Sequence, residues 1–402
     1  MKGFASRSTV EAAWAWLDEH TRVLEDTEAV ALGDACRRTL AEDVYSRVDV
    51  PRFDRAMMDG FALMASDTAG ASTYNQLPLT VIGEALPNAP FEGEIAPGQA
   101  IRIMTGSPIP SGADAVLPVE TTEIQGQQVM LLDEVPPRKH IGYCGEDISL
   151  GSTVLKKGRQ LRPQDLGLLS SIGVPEVNVV RQPRVRVVVT GNELLPRGSV
   201  PTGFQITDAN GPMLSALAER DGAIVVDDSI VSDDPDSILN AMRSDVDVVL
   251  VSGGSSVGQE DHAPRILAEH GELGIHGIAM RPSSPSGMGV MDGRLVFLLP
   301  GNPVSCLCSY DFFAGRIIRG LGGRPSDWPY KKLRLPLARK LVSQVGRVDY
   351  ARVSIDENQV HPIAISGASI LSSTTRADGF VVIPADSEGY PPEDLVDVYL
   401  YA

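Results

Sequence analysis

The sequence predicts a multidomain protein of α/β plus β class, built on a central α/β domain with a mostly parallel sheet. Three observations carry this expectation. The chain has 402 residues, too many for one ordinary core, so two to four domains are expected. Residues 183–325 alternate apolar strands with helices, the pattern of repeated βα units packed on both faces of a sheet. Residues 51–147 and 326–402 carry short β-rich runs broken by turn residues, in a chain with 39 Gly and 29 Pro.

Residues 1–50 read as helical, with few breakers. Ser8 and Glu11 have capping-box spacing, and Val10, Ala13, Trp14 and Leu17 line one helical face. Residues 51–147 turn to β runs such as "LPLTVIG" and "QAIRIMTG". In 148–182, "RPQDLGLLSSIG" reads as a short helix ending at Gly173, after which the chain returns to the first zone's domain. The expected layout is therefore 1–50 with 148–182, then 51–147, 183–325 and 326–402.

Within 183–325, "RVRVVVT" (184–190) is a continuous apolar strand, the mark of burial on both faces. "GPMLSALAERDG" is a helix and "AIVVDDS" a strand. "DDPDSILNAM" is a helix with Asp234 as N-cap and Pro235 at its first position. "VDVVLVS" is a strand, "APRILAEHG" a helix closing at Gly271, "LVFLLP" a strand, and "NPVSCLCSYDFFAGRIIRG" a helix. The last zone reads as a small β domain.

Composition narrows the function. Hydrophobic residues make up 43%, enough for packed globular structure. Lys+Arg 35 against Asp+Glu 52 gives −17, which disfavours nucleic acid or an anionic membrane as main partner. An anionic substrate then requires a local cationic pocket or a bridging metal ion. Cys36, Cys144, Cys306 and Cys308 form no Cys-x-x-Cys pair, which argues against structural zinc. Cys306 and Cys308 read as core. The cysteine usage, the lack of an apolar signal core and the lack of a bilayer-length apolar run point to the cytoplasm.

In open α/β sheets ligands bind at the carboxyl ends of strands. Three unusual loops fall there: "TGNEL" (190–194), "SGGSSVGQED" (252–261) and "LPGNPVS" (299–305). The second offers glycines and serine donors for a phosphate or nucleotide, although its spacing is neither a Walker A loop nor a Rossmann fingerprint. It reads equally as a βα turn with Asp261 as N-cap. The third reads equally as a helix start capped by Asn302, with Pro303 at the first position. Glu193 is a metal ligand or a solvated acid. If the loops share one crevice, Glu193, Asp233 and Asp261 would accept a phosphate through a hard cation such as Mg²⁺. Elsewhere "MMDGFA" (57–62), "RIMTGSPIPSGADAV" (102–116) and "CGEDI" (144–148) stand out.

Taken together, the motifs "MDGFA", "MTGSPIPSGAD", "GEDI", "TGNEL", "SGGSSVGQED", "LPGNPVS" and "ADGF" resemble, in order and over essentially the whole chain, the molybdopterin molybdenumtransferase family. That family includes bacterial MoeA and the E domains of Cnx1 and gephyrin. The resemblance implies an extended first domain, a β-rich domain, a MoaB/Mog-like α/β domain and a C-terminal β-barrel. It implies a Mg²⁺-dependent enzyme that inserts molybdate into adenylylated molybdopterin and releases AMP and molybdenum cofactor. It implies a homodimer whose active cleft lies between the α/β domain of one subunit and the β domain of the other. A molybdopterin adenylyltransferase would act upstream and molybdoenzyme apoproteins downstream. The residues matching family acids implicated in activity are Asp59, Asp147, Glu193, Asp233 and Asp261, together with Thr105; Glu193, Asp233 and Asp261 would hold Mg²⁺. The pterin-nucleotide would contact Gly191, Ser252, Gly253, Gly254, Ser255, Gly258, Pro300, Gly301, Asn302 and Pro303.

The sequence departs from the family at the molybdate pocket. The usual Lys/Arg-Pro-Gly-Lys-Pro is here "RPSSP": Arg281, Pro282 and Pro285 match, but Ser283 replaces Gly and Ser284 replaces Lys. Ser284 donates one hydrogen bond but no charge. Arg347 and Arg352 match a basic cluster of the C-terminal barrel and could supply charge, and Ser305 is a further donor. Asn192 stands for the usual Asp, and Ala56 for the usual Ser. The alternatives are a paralogue that uses tungstate or lacks oxyanion insertion, a pterin-binding scaffold, and a pyridine-nucleotide salvage enzyme sharing only the α/β domain.

Overall fold

A computed structural model describes residues 7–254 and 262–401. The chain divides into two compact units. One comprises residues up to Glu28, Arg37–Thr39 and everything from Val179 onward; the other comprises Ala29–Cys36 and Leu40–Asn178.

The larger unit is built on a six-stranded sheet in the order 224–231, 184–190, 248–252, 294–299, 287–291, 272–276. The first four strands run parallel; 287–291 runs antiparallel to 294–299, and 272–276 antiparallel to 287–291. Strand Arg184–Thr190 is paired on both sides, and Val185, Val187 and Val188 are fully buried, as a continuous apolar run requires. Register fixes where the parallel strands end. Val189 lies opposite Ser252, Ser252 opposite Leu299, and Thr190 opposite Val231. Four strands therefore end in one row, and the loops that leave them share one edge of the sheet.

The helices start where sequence chemistry places them. Helix Pro235–Met242 is capped by Asp234, whose Oδ1 accepts from Ser237 N–H at 2.9 Å. Helix Asn210–Arg220 packs Leu214 and Ala218 into the core. The segment after Asn302 runs as helix Pro303–Ser309, a π-turn Tyr310–Ala314 and helix Gly315–Leu321, and Cys306 and Cys308 are fully buried within it. The C-terminal strands pair in the order 331–336, 395–400, 379–383, 348–356, 359–364. A bridge between Leu337 and Val360 closes them into a small barrel around Val353, Val381 and Val398. Strand Met280–Arg281 adds to this sheet beside Val348 and Asp349, tying the barrel to the α/β region.

Residues 1–50 differ from the helical expectation. Among their described residues only Val10–His20 is α-helix, followed by the short strands Thr27–Ala31 and Val44–Tyr45, a 3-10 turn Leu32–Asp34 and irregular chain. The N-cap is Thr9, whose Oγ1 accepts from Ala12 N–H at 3.1 Å, not Ser8. Ser8 is extended and exchanges backbone hydrogen bonds with Gly277 and Ala279, so tertiary pairing outcompetes the local capping box.

The second unit holds a six-stranded sheet in the order 115–118, 60–63, 99–103, 77–85, 128–131, 122–125. It also holds helix Pro163–Ser171. Asp165 closes a capping box at the start of that helix and pairs with Arg159 and Arg162. Gly173 comes next with φ +76°, a left-handed position that suits glycine. No helix among the described residues is long and apolar enough to cross a membrane.

A buried ionic network sits behind the sheet of the larger unit. Asp311, in the π-turn, accepts from the Tyr330 hydroxyl at 2.8 Å and pairs with Arg220 at 3.3 Å. Asp221 pairs with Arg220 and Arg319, each at 2.9 Å. Burial pushes the Asp311 carboxyl up to about 6, against the pull of Arg220. Folded Asp311 thus holds its proton more tightly than the unfolded chain does, and its contribution to stability falls as pH rises from about 4 to 6. We expect the stability of the parent relative to Asp311→Asn to drop by about 2–3 kcal/mol across that window, then stay level to neutral pH. Urea denaturation of both proteins at pH 4, 5, 6 and 7 measures it.

Candidate functional site

The common edge of the sheet opens into a cavity of about 830 Å³. Gly191, Glu193, Asp233, Ser252, Gly253, Gly254, Pro300, Gly301, Asn302 and Pro303 all line it, so the three loops singled out in the sequence do converge. Ser255, Gly258 and Asp261 lie outside the described residues.

The backbone approaches closely here. Gly253 has φ +102°, and a Cβ on it would fall 2.5 Å from the Thr190 carbonyl oxygen. A Cβ on Gly301 would sit 3.6 Å from Gly253 Cα. Only glycine lets the first and second loops pass this closely. Asn210 stitches the loops together: its Nδ2 donates to Ser252 Oγ at 2.9 Å and to the Gly301 carbonyl at 2.8 Å. Its buried Oδ1 accepts no hydrogen bond from a described residue. Asp208 Oδ1 accepts from the N–H groups of Asn210 and Gly211, both at 2.9 Å, and so sets the start of helix Asn210–Arg220.

The third loop differs from a phosphate-binding helix start. The N–H groups of Val304 and Ser305 both donate to the Ala368 carbonyl, at 2.9 and 3.3 Å, so barrel backbone occupies the place an anion would take. Asn302 makes no side-chain capping bond, which leaves its amide to the cavity.

Glu193 and Asp233 line this cavity together with Asp208. Asp233 N–H donates to Asn192 Oδ1 at 3.3 Å, so the amide in place of the family acid fixes the backbone of its neighbour. No three acids, histidines or cysteines among the described residues converge as a metal cage. Glu193 and Asp233 are carboxylates of the kind Mg²⁺ takes together with water and substrate oxygens.

A second cavity, of about 760 Å³, adjoins the first and shares Pro285, Pro300 and Asn302 with it. Arg281, Ser284, Ser305 and Arg347 line it, and so does Arg7. Arg281 and Arg347 both pair with the fully buried Asp349, Arg347 at 3.2 Å. Ser343 Oγ also donates to Asp349, at 2.8 Å. The Ser284 hydroxyl is occluded and makes no hydrogen bond to a described residue. Ser283, where the family has glycine, sits at φ +85°, a left-handed conformation costing roughly 1–2 kcal/mol for a residue with a Cβ. Its hydroxyl donates to the Ser305 carbonyl at 2.5 Å, which offsets part of that cost. Arg352 does not face the cavity. It is fully buried, on the strand face it shares with Val348 and Tyr350, and its Nη2 donates to the carbonyl of Ser366, a residue of the cavity wall.

In the second unit, Asp59 Oδ1 accepts from the Thr105 N–H and from its hydroxyl, both at 2.7 Å. Gly60 makes this junction possible, since a Cβ there would fall 2.0 Å from the Leu117 carbonyl oxygen. The Thr105 backbone N–H, then its hydroxyl, hold the Asp59 carboxyl below its usual range. Asp147 is exposed in a separate turn, where its N–H donates to Val50 O at 3.1 Å. Among the described residues no hydrogen bond joins it to Asp59 or Thr105.

Sequence reasoning missed Arg7, Asn210, Asp208 and Asp349. Asp349 had a signal, an acid flanked by two arginines in "GRVDYAR". Asp208 had one as well, an acid two residues before a helix. Arg7 had none, because long-range pairing of Ser8 places it.

Three family models match the chain: MoeA N-terminal region (domain I and II) at residues 8–173, probable molybdopterin binding domain at 186–319, and MoeA C-terminal region (domain IV) at 334–401. A putative molybdopterin biosynthesis protein of Methanocaldococcus jannaschii is 33% identical, covering 98% of this chain and 96% of that protein. The molybdopterin molybdenumtransferase of Haemophilus influenzae is 32% identical, covering 93% and 94%. A solved structure of a molybdopterin biosynthesis MoeA protein from Pyrococcus horikoshii superposes with TM-score 0.87 at 32% identity, covering 98% of this chain and all of that one.

The Asp59 contacts generate a direct test. Thr105→Val removes one of its two donors and keeps the backbone N–H. The Asp59 carboxyl in that variant is expected to titrate at higher pH than in the parent, which carbon-detected NMR of its Cγ resolves.

Proposed function

The chain belongs to the MoeA family of molybdopterin molybdenumtransferases, and from that membership we propose how its two adjoining cavities divide the work. It is a transferase of molybdenum cofactor biosynthesis. In our reading, the glycine-lined cavity takes adenylylated molybdopterin and the arginine-lined cavity takes molybdate. The observation that carries this is their shared wall: Pro285, Pro300 and Asn302 border both, so an oxyanion and a dithiolene can meet there without leaving the protein.

This chain's residues bind and orient. Gly253 and Gly301 give the pterin-nucleotide close backbone approach, and Asn210 Oδ1 and the Asn302 amide offer polar contacts. Arg281 and Arg347 orient the oxyanion through charge-assisted hydrogen bonds. In the net reaction molybdenum passes to the two dithiolene sulfurs while their two protons leave with one molybdate oxygen as water, and one water cleaves the phosphoanhydride to give AMP and the pterin's phosphate monoester. Glu193 and Asp233 would hold Mg²⁺, which when bound offsets the repulsion between these carboxylates and the substrate phosphates; Asp261 is the remaining candidate ligand.

We further propose that two copies act together, the Asp59–Thr105 surface of one completing the cleft of the other. Exposed Met57, Met58 and Met104 flank that surface, an apolar rim suited to burial against a partner. An adenylyltransferase would supply the substrate, and apoenzymes that use molybdenum cofactor would receive the product. The four unpaired cysteines are in keeping with a cytoplasmic setting.

The test is AMP release from adenylylated molybdopterin with Mg²⁺, with and without molybdate. Molybdate is expected to stimulate release in the parent. At subsaturating molybdate, Arg281→Ala is expected to lower the rate on the order of tenfold, the loss of one charge-assisted contact. Release that ignores molybdate contradicts the reading.

A further inference from the structure

The oxyanion cavity lacks the lysine its family uses, and the structure shows what stands nearby. Arg281 and Arg347 share one buried carboxylate, Asp349. Two cations and one anion leave a net charge of about +1, too little to balance a doubly charged oxyanion. Ser284 adds no charge, and Arg352 is fully buried and does not line the cavity. Among the described residues one further cation lines the cavity: Arg7. It is brought there by backbone pairing, because Ser8 N–H donates to Gly277 O at 3.0 Å and Ala279 N–H donates to Ser8 O at 2.8 Å. Ala279 leads directly into the 281–285 loop. Among the described residues no acid pairs with Arg7.

We propose that Arg7 is an oxyanion-binding residue that supplies the positive charge lost at position 284. This rests on the reading of the cavity as the molybdate site. It raises the local sum to about +2, which matches a molybdate dianion. It makes the N-terminal segment part of the binding site, and it places the compensating charge on a planar guanidinium able to donate two parallel hydrogen bonds to an oxyanion.

The test is calorimetric titration of the full chain with molybdate, comparing the parent, Arg7→Gln, Arg7→Lys, Ser284→Lys and the double variant Arg7→Gln/Ser284→Lys, with thermal melts to verify folding. Arg7→Gln is expected to bind about tenfold more weakly and Arg7→Lys close to the parent, since one charge-assisted contact is lost or kept. Ser284→Lys is expected to strengthen binding far more in the Arg7→Gln background than in the parent, a coupling that a merely structural Arg7 would not produce. Equal binding by the parent and Arg7→Gln, or additive effects of the two substitutions, overturns the role of Arg7 and leaves the cavity assignment standing. A parent that takes up no molybdate overturns the cavity assignment itself, and the Arg7 role with it.

Discussion

One buried carboxylate organises the site. Asp349 has no solvent exposure, yet it meets Arg281 from one segment and Arg347 from another. A buried acid is costly unless paired and hydrogen-bonded. Arg281 and the Ser343 hydroxyl hydrogen-bond its Oδ2, and Arg347 pairs by charge with Oδ1, which holds both arginines where they line the cavity. The same residue sits in the strand pairing that joins Met280–Arg281 to the barrel. Attachment of the barrel and shape of the arginine-lined cavity are therefore one constraint. Removing Asp349 would leave two cations facing each other and loosen the wall they form.

The second constraint is register. Because Val189, Ser252 and Leu299 share a row, the glycines just beyond each strand are brought together rather than spread along the sheet. Gly253 then passes within contact of Thr190 and Gly301, and Asn210 ties the loops from the adjoining helix. Backbone proximity of this kind is what a bulky pterin-nucleotide requires. In a chain with net charge −17 the charges are sorted. The arginines gather at one cavity, and Glu193 and Asp233 stand at its neighbour, where a divalent cation would bridge acid and phosphate.

Much of this was legible in the sequence. Strand 184–190, the Asp234 cap and the buried Cys306 and Cys308 come from local rules of periodicity and capping, and the structure has them. The loops at the strand ends were legible for the same reason, since strand termini in open sheets are where ligands bind. Effects of long-range packing were not. Ser8 leaves its expected capping role to pair with Gly277, and that pairing alone brings Arg7 to the cavity. Arg352 reads as a companion of Arg347 at the oxyanion site, but it is fully buried on the strand face that carries Val348 and Tyr350 into the α/β core. Residues 21–50 do not continue the first helix; Thr27–Ala31 and Val44–Tyr45 pair instead with the distant strands 176–180 and 153–155.

Anomalous diffraction at the molybdenum edge, from crystals of this chain grown with molybdate, tests the account most directly. A single molybdenum peak in the cavity bounded by Arg281, Arg347 and Ser305, beside the Pro300–Asn302 wall, is the result this account predicts. A peak elsewhere in the molecule, with that cavity empty, would contradict it.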